Sequence, residues 1–452
     1  MSKSAAAVFP LSVILIDFLK HRNWDRQAII DKIPFFALSI IFGILAIKSQ
    51  NATESIAGFE TFTLYQRFMF ASFGAIIYPL KFLIPNELTC YHPYPHLVDN
   101  GTRLPYIWYA FPAIFALVLC LILWTIKKAR WVIFGFGFYL VNVVLVLQFV
   151  SVGSAIYAER YSYVAYIGLA FLVAKGLVWL ADNYKNYATI TYSIFGALAI
   201  VLCCITFNQN KTWKNPESLW DKFTEVYPKD PYGMVKVAEY YMRFDDHEKT
   251  LGQFKKTADK FPGHARSYAG MGNMYGKMGK YQEAINSFNL AEKVAQQTKT
   301  GVAELYPNRA ITYSIMKQYE KAFPDYEKAI KADPKNYRIR VNRAFAFLDN
   351  GNYPEAIEEY SFVLQFEPNN PNHYFFRGIA YQNTQQFEKA LSDYSTNINL
   401  NPKNPNTYHN RGICYEQLKQ YKLALQDILT AQKLGKPENQ LYINKLTQLA
   451  NY

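Results

Sequence analysis

Cysteine and histidine are scarce in this chain, five and seven in 452 residues, and apart from the adjacent Cys203 and Cys204 they are scattered. Cys120, Cys203 and Cys204 lie in apolar runs, Cys414 stands alone in a polar half, and Cys90 has no near neighbour of its kind. Neither a disulfide framework nor a zinc site is implied. His92 and His96 have ligand-like spacing, but Pro93 and Pro95 exclude a helix between them, so we read them as loop residues rather than metal ligands. Acidic residues are outnumbered, 35 to 48, leaving a net charge of +13. No nucleic-acid module accompanies that excess, and basic residues flanking apolar segments account for part of it, so no nucleic-acid partner is expected. A small-x-small cleavage site is also missing after the first apolar run, which closes on Asp17, Lys20 and Arg22 and so does not read as a cleavable signal.

What the chain has in excess is long apolar runs, nearly all before Asn210. They fall at about 5–19, 33–47, 68–84, 106–126, 131–152, 163–181 and 188–207. A bilayer core takes roughly 20 residues in a helix, so several can span it. Residues 1–210 are therefore expected to form a multi-pass transmembrane helical domain. Basic loops orient such domains. Lys20, Arg22, Arg26 and Lys32 follow the first run, and Lys127, Lys128 and Arg130 join the fourth to the fifth. Both loops are cytoplasmic if the run 68–84, broken by Pro79 and carrying Lys81, is re-entrant or interfacial. The C-terminal half then emerges on the extracytoplasmic side, in a periplasm or lumen; if every run spans, it is cytoplasmic. The first arrangement is preferred because it keeps all seven named charges inside. Asn51 and Asn100 open glycosylation sequons that this arrangement puts outside. Lys175, near the cytoplasmic end of its run, can snorkel and is read as structural.

After Pro231 the sequence repeats itself. Pro334, Pro368 and Pro402 are 34 apart, as are Arg309, Arg343, Arg377 and Arg411, each with an aromatic four positions on: Tyr313, Phe347, Tyr381 and Tyr415. A period of 34 with small, aromatic, Ala and Pro landmarks is the tetratricopeptide repeat (TPR) signature. An ordinary bundle shows 3.6-residue periodicity without that register. The fold class expected for the whole chain is all-α, a membrane domain followed by a TPR α-solenoid. We lay six repeats over 231–438 (231–264, 265–298, 303–336, 337–370, 371–404 and 405–438), with 299–302 inserted, 211–230 as a linker and 439–452 as a capping helix. Within each unit a small residue (Gly272, Ala310, Ala344, Gly378, Gly412) meets an Ala (Ala284, Ala322, Ala356, Ala390, Ala424), and the proline stops the second helix. Arg309 with Asp325, Arg343 with Glu359, Arg377 with Asp393 and Arg411 with Asp427 recur 16 apart, which argues for ion pairs inside each unit. Ligand contacts are expected instead from the variable face of the first helices, at Arg338, Phe375, Gln382, His409 and Glu416, for a protein or peptide partner.

The membrane half carries its own likeness. Ala158 to Gly168 read AERYSYVAYIG, residues 212–233 read TWKNPESLWDKFTEVYPKDPYG, and the opening SKSAAAVFPLSVILIDFLKHR and the loop LIPNELTCYHPYP stand in a matching order. Together they resemble the transmembrane and tetratricopeptide repeat-containing O-mannosyltransferases, polytopic glycosyltransferases of the GT-C type. The resemblance implies a polyprenyl-phosphate sugar donor whose phosphate would sit at Glu159, Arg160, Tyr161 and Tyr163, guanidinium being suited to phosphate. Read from the residues alone, Arg160 is rather an interfacial arginine beside belt tyrosines, or paired with Glu159; only the resemblance brings the phosphate role level with that reading. Members are expected to hold a catalytic acidic pair in the first outer loop. No paired carboxylates follow an N-terminal helix here, and Asp17 falls at the end expected to be cytoplasmic, so the catalytic residues are unassigned. The resemblance implies a truncated member, one that works beside a separate N-terminal piece, or a scaffold without catalysis. Two functions follow: a membrane-anchored TPR scaffold in contact with membrane lipid, needing no cofactor, or a protein O-glycosyltransferase.

Overall fold

Apolar segments with no polar side chains to satisfy their backbone must bond it internally, and helices do so within one segment. In the computed structural model, which describes residues 8–23, 25–52, 62–95, 103–125, 129–147, 155–158 and 161–451, the chain divides into two compact units, 1–233 and 234–452.

The first unit runs α1 (Phe9–Leu19), α2 (Arg26–Ile30), α3 (Ile33–Ala52), α4 (Leu64–Leu83), β1 (His92–Pro93), α5 (Phe111–Trp124), α6 (Arg130–Val143), β2 (Ala155–Tyr157), α7 (Tyr163–Asn183), α8 (Ala188–Thr212) and α9 (Pro216–Val226). Among the described residues, four stretches are long and apolar enough to cross a membrane: Arg26–Leu45, Tyr106–Trp124, Tyr163–Asn183 and Lys185–Thr212. The run 68–84 is not one of them. It belongs to α4, which opens on a capping box in which the Thr63 hydroxyl and the Gln66 side chain each accept from the other's backbone N–H. One face of α4 is the heart of the unit's core: Met69, Phe70, Ala75 and Tyr78 pack on Tyr139 and Val143 of α6, Tyr157 of β2 and Leu169 of α7.

Pro79 stands inside α4 without ending it. A proline cannot donate to the carbonyl four residues back, and here that carbonyl, on Ala75, accepts from the Tyr139 hydroxyl at 2.8 Å. The neighbouring helix thus satisfies the acceptor that the proline leaves open. Helices α6 and α7 meet over glycine: a Cβ at Gly168 would stand 2.4 Å from the Gly135 carbonyl oxygen, so the two backbones are in direct contact there. His92, expected in a loop, is instead a buried strand residue of β1, which pairs antiparallel with β2. Its ring stacks on Tyr157 at 3.8 Å, and Nδ1 lies 2.6 Å from the Tyr227 hydroxyl. The stretch 211–230, expected as a linker, contains α9, N-capped by Asn215 through the Ser218 N–H at 2.8 Å and held by buried Phe223 against Tyr91 and Tyr227.

The second unit is a row of helix pairs: α10 (Tyr232–Met242) with α11 (His247–Lys260), α12 (Ala265–Lys277) with α13 (Tyr281–Thr298), α14 (Leu305–Ile315) with α15 (Tyr319–Ala332), α16 (Tyr337–Asp349) with α17 (Tyr353–Val363), α18 (Pro371–Asn383) with α19 (Phe387–Leu400), and α20 (Pro405–Gln417) with α21 (Tyr421–Lys433). A final helix, α22 (Gln440–Ala450), packs Ile443 and Leu446 on Ala424 and Ile428 of α21, while Leu441 points to solvent. Every pair turns in the same way. A left-handed residue (Asp245, Gly279, Lys317, Gly351, Gln385, Lys419) follows the first helix. The next N–H then bonds back to the carbonyl of the landmark aromatic, as Gln318 does to Tyr313 and Gln386 to Tyr381, both at 2.8 Å. That is the bond of a Schellman end, so the aromatic marks the same point of every first helix. Its period is 34 except across residues 299–302, where Lys299 is itself left-handed.

Inside the pairs, Ala284, Ala322, Ala356, Ala390 and Ala424 are fully buried. The partner of Gly378 differs from the expected Ala390. A Cβ there would lie 2.7 Å from Cε1 of Tyr394, and Gly272 likewise faces the ring of Phe288. In these two pairs the ring of the second helix stands directly over the bare glycine, whereas Gly412 faces Ile428.

Candidate groove along the first helices

The recurrent arginines settle what the repeats use for themselves. Arg309 donates Nε and Nη2 to Asp325 at 2.6 and 2.8 Å and adds Glu292 at 2.8 Å. Arg377 holds Asp393 at 2.8 and 2.7 Å, Arg411 holds Asp427 at 2.7 and 2.9 Å, and Arg343 pairs with Glu359. Two parallel N–H···O bonds fix both helices of the pairs held by Arg309, Arg377 and Arg411, while Arg343 reaches Glu359 through Nη2 and its buried Nε has no hydrogen-bond partner among the described residues.

First helices also touch one another in sequence, α12 with α14, α14 with α16 and α16 with α18. Along this row runs a groove of about 860 Å³. Its floor is Ile311 and Ile315 of α14, Val341 and Phe345 of α16, and Phe376 of α18. Phe345 and Ile315 are each about half exposed, at 50% and 51%. A second depression of about 330 Å³ continues it over α12 and shares Ile311 and Ile315. Asn273 lines that part with a buried Oδ1 that has no hydrogen-bond partner among the described residues.

The charges on the wall are unequal. Glu367 accepts from the Tyr337 hydroxyl at 2.9 Å, Asn370 at 3.0 Å and His373 at 2.7 Å. Those donors, His373 first, hold its carboxyl down at about 2. Asp349 is engaged by Lys317 and Tyr319, which lower its pKa as well. Arg338 is exposed and, unlike Arg340 and Arg343, which both reach Glu359, makes no ion pair among the described residues.

Of the residues picked from sequence for this face, Arg338 lines the groove. Phe375 packs into the core with Ala390 and Tyr394. Gln382 accepts from the Tyr394 hydroxyl at 2.8 Å, His409 meets Glu438 at 2.6 Å, and Glu416 takes the Tyr442 hydroxyl at 2.6 Å and Lys445 at 3.2 Å. Each of those three is used by a neighbouring helix or loop. Sequence reasoning missed Asn342, Phe345 and Ile315. The available signal was the face of α16 itself, where Arg338, Asn342, Phe345 and Asp349 recur at helical spacing. In the membrane half, Tyr161 and Tyr163 are both exposed, whereas Glu159 and Arg160 lie outside the described residues, as do Lys127, Lys128, His96 and Asn100. Among the described residues no group of three His, Cys, Asp or Glu side chains could hold a metal.

The tetratricopeptide repeat family matches residues 263–335, 315–378 and 405–434. No curated protein matches the chain. Among solved structures the chain is similar to YrrB, described as a TPR protein with an unusual peptide-binding site, with 20% identity, 40% of this chain and 92% of that one covered and a TM-score of 0.37. It is similar to MamA AMB-1 at 19% identity, covering 39% and 95%, TM-score 0.35. A tetratricopeptide repeat protein from Parabacteroides merdae aligns at 16% identity over 62% of this chain and 100% of its own, TM-score 0.33. By the family match and its own row of helix pairs, the C-terminal part of this nearly all-helical chain is built of tetratricopeptide repeats.

Proposed function

We propose that the chain is a membrane-anchored repeat protein whose groove along α12, α14, α16 and α18 holds an extended segment of a protein partner. The observation that carries this is the groove itself: half-exposed Phe345 and Ile315 at its centre, beside Arg338 and Asn342, which make no ion pair or side-chain hydrogen bond among the described residues. Burying such apolar surface is worth about 25 cal/mol per Å², and the Asn342 amide suits a peptide backbone. The four apolar stretches are the anchor, in contact with membrane lipid, and the basic-loop count favours an array on the extracytoplasmic side.

A photoreactive benzoylphenylalanine at Phe345 should capture a protein adduct in the native membrane that is absent when it stands at exposed Glu388 on α19. Equal capture at the two positions would contradict the reading. The anchor is checked by alkaline carbonate extraction, which should leave the chain in the membrane pellet. Labelling of single-cysteine variants in intact cells tests the orientation: an unlabelled array beside a labelled Arg130 turn would overturn it.

A second reading, transfer of a sugar from a polyprenyl phosphate to protein, draws on the likeness at 158–168 and on an apolar cleft of about 220 Å³ among α4, α5 and α6. Incubation of the full chain with a radiolabelled polyprenyl-phosphate sugar tests it, with label on protein as the expected product.

A further inference from the structure

The groove's chemistry is specific enough to say what its occupant looks like, on the footing that the groove binds a peptide at all. Both acidic groups on its wall are committed, Glu367 to three donors and Asp349 to Lys317 and Tyr319. The one cation without a carboxylate among the described residues of this wall is Arg338. A guanidinium so placed asks for a carboxylate, and nothing on the wall asks for a base. The apolar seat is equally definite. Phe345 stands between Ile315 on one side and Phe376 on the other, in edge-to-face contact with Phe376 at 5.6 Å. A large apolar side chain fits there, and a small or charged one leaves the seat unfilled.

Arg338 and Phe345 belong to the same face of α16, seven residues apart in sequence. At a helical rise of 1.5 Å per residue that is about 10.5 Å along the α16 axis, the direction in which the groove is lined from Tyr337 to Asp349 and in which the segment passes from one anchor to the other. An extended peptide advances about 3.3 Å per residue, so three residues cover about 10 Å. Asn342, between the two and without a hydrogen-bonded partner among the described residues, can take both the N–H and the C=O of the peptide link that passes over it.

We infer that the groove recognises an extended segment carrying an acidic residue three positions from a large aliphatic or aromatic one, the carboxylate on Arg338 and the apolar side chain between Ile315, Phe345 and Phe376. The spacing holds for either chain direction, because it is set by the two anchors on α16.

The test is a selection of phage-displayed random peptides of about twelve residues on the full chain in detergent, counter-selected on Phe345→Ser. The expected consensus has Asp or Glu three positions from Leu, Ile, Phe or Met. In a synthetic consensus peptide, changing that Glu to Gln should weaken binding about tenfold, the scale of one lost charge-assisted contact. The loss should disappear on Arg338→Ala, and Arg338→Glu should prefer a Lys-containing version. Binders that depend on Phe345 but show no acidic position, or show it at another spacing, overturn this inference and leave peptide binding standing. A selection that yields no Phe345-dependent binder overturns peptide binding and this inference with it. Thermal unfolding of both arginine variants, expected unchanged because Arg338 is solvent-exposed, separates a lost contact from a lost fold.

Discussion

Gly378 is the position where the repeat packing can be challenged with least ambiguity. A single added methyl would stand 2.7, 3.0 and 3.1 Å from Cε1, Cδ1 and Cζ of Tyr394. Ordinary carbon contacts lie near 3.5–4.0 Å, so the ring must retreat by roughly an ångström. It has nowhere to go. Tyr394 is fully buried against Ala390 and Cys414, and its hydroxyl is tied to Gln382 at 2.8 Å. Overpacking of this kind costs about 1–3 kcal/mol, with Gly378→Ala at the low end and Gly378→Leu at or beyond the high end. Two other glycines calibrate it. Gly412 faces Cδ1 and Cγ1 of Ile428 at 3.1 Å and the Ala424 carbonyl oxygen at 3.3 Å, contacts longer than the 2.7 Å at Gly378, so Gly412→Ala should cost less. Gly252, in the middle of α11, has nothing within 4 Å, so Gly252→Ala should be neutral or stabilising by about 0.5–1 kcal/mol. Because each repeat contacts mainly its neighbours, the loss at Gly378 should be local. Hydrogen exchange on the full chain should show lost protection in α16 to α21 and none in α4 or α7. If Gly378→Leu protected α18 and α19 as well as Gly252→Ala does, the close approach of Tyr394 to this backbone would be wrong.

Arg309→Ala leaves Asp325 buried and unpaired, the two side chains being only 7% and 5% exposed, and breaking such a pair costs about 3–5 kcal/mol. Arg411→Ala, at a more exposed pair, should cost less, as chemical unfolding of both variants will show. Glu367 is held at about 2 against a usual 4.5, chiefly by His373. A depressed carboxylate adds stability above its unfolded value that is lost as pH falls toward the folded one. The melting temperature of the array should therefore drop between about pH 4.5 and 2, and drop less in Glu367→Gln. Burial pushes the Cys414 thiol up to about 12, so alkylation at neutral pH should await local unfolding.

What was legible in the sequence is what packing fixes locally. Prolines, the small residues and alanines, and the arginine–carboxylate pairs repeat because each is required inside one helix pair, so a 34-residue register reveals them without any structure, whereas the left-handed turn residues, Asp, Gly, Lys or Gln by turns, leave no such mark. The site was less legible because polar groups at equivalent places meet different fates. Ser314 and Gln382 occupy corresponding points of α14 and α18, and both are reached by a tyrosine hydroxyl from the second helix, Tyr326 and Tyr394. Glu416, at the same point of α20, is taken by Tyr442 and Lys445 of the last helix, which no repeat pattern foretells. Likewise Pro79 reads as a break, and only the Tyr139 hydroxyl on its orphaned carbonyl explains why α4 continues. His92 looked like a loop residue because prolines flank its neighbours, yet pairing with β2 buries it.

The central claim is that the row of first helices, and not the outer row, is the binding face. Amide hydrogen exchange of the full chain with and without a saturating selected peptide tests it most directly. The account predicts added protection in α14, α16 and α18, around Ile315, Phe345 and Phe376, with α15, α17 and α19 changed little. Protection concentrated on those second helices, or spread evenly over the array, would contradict it.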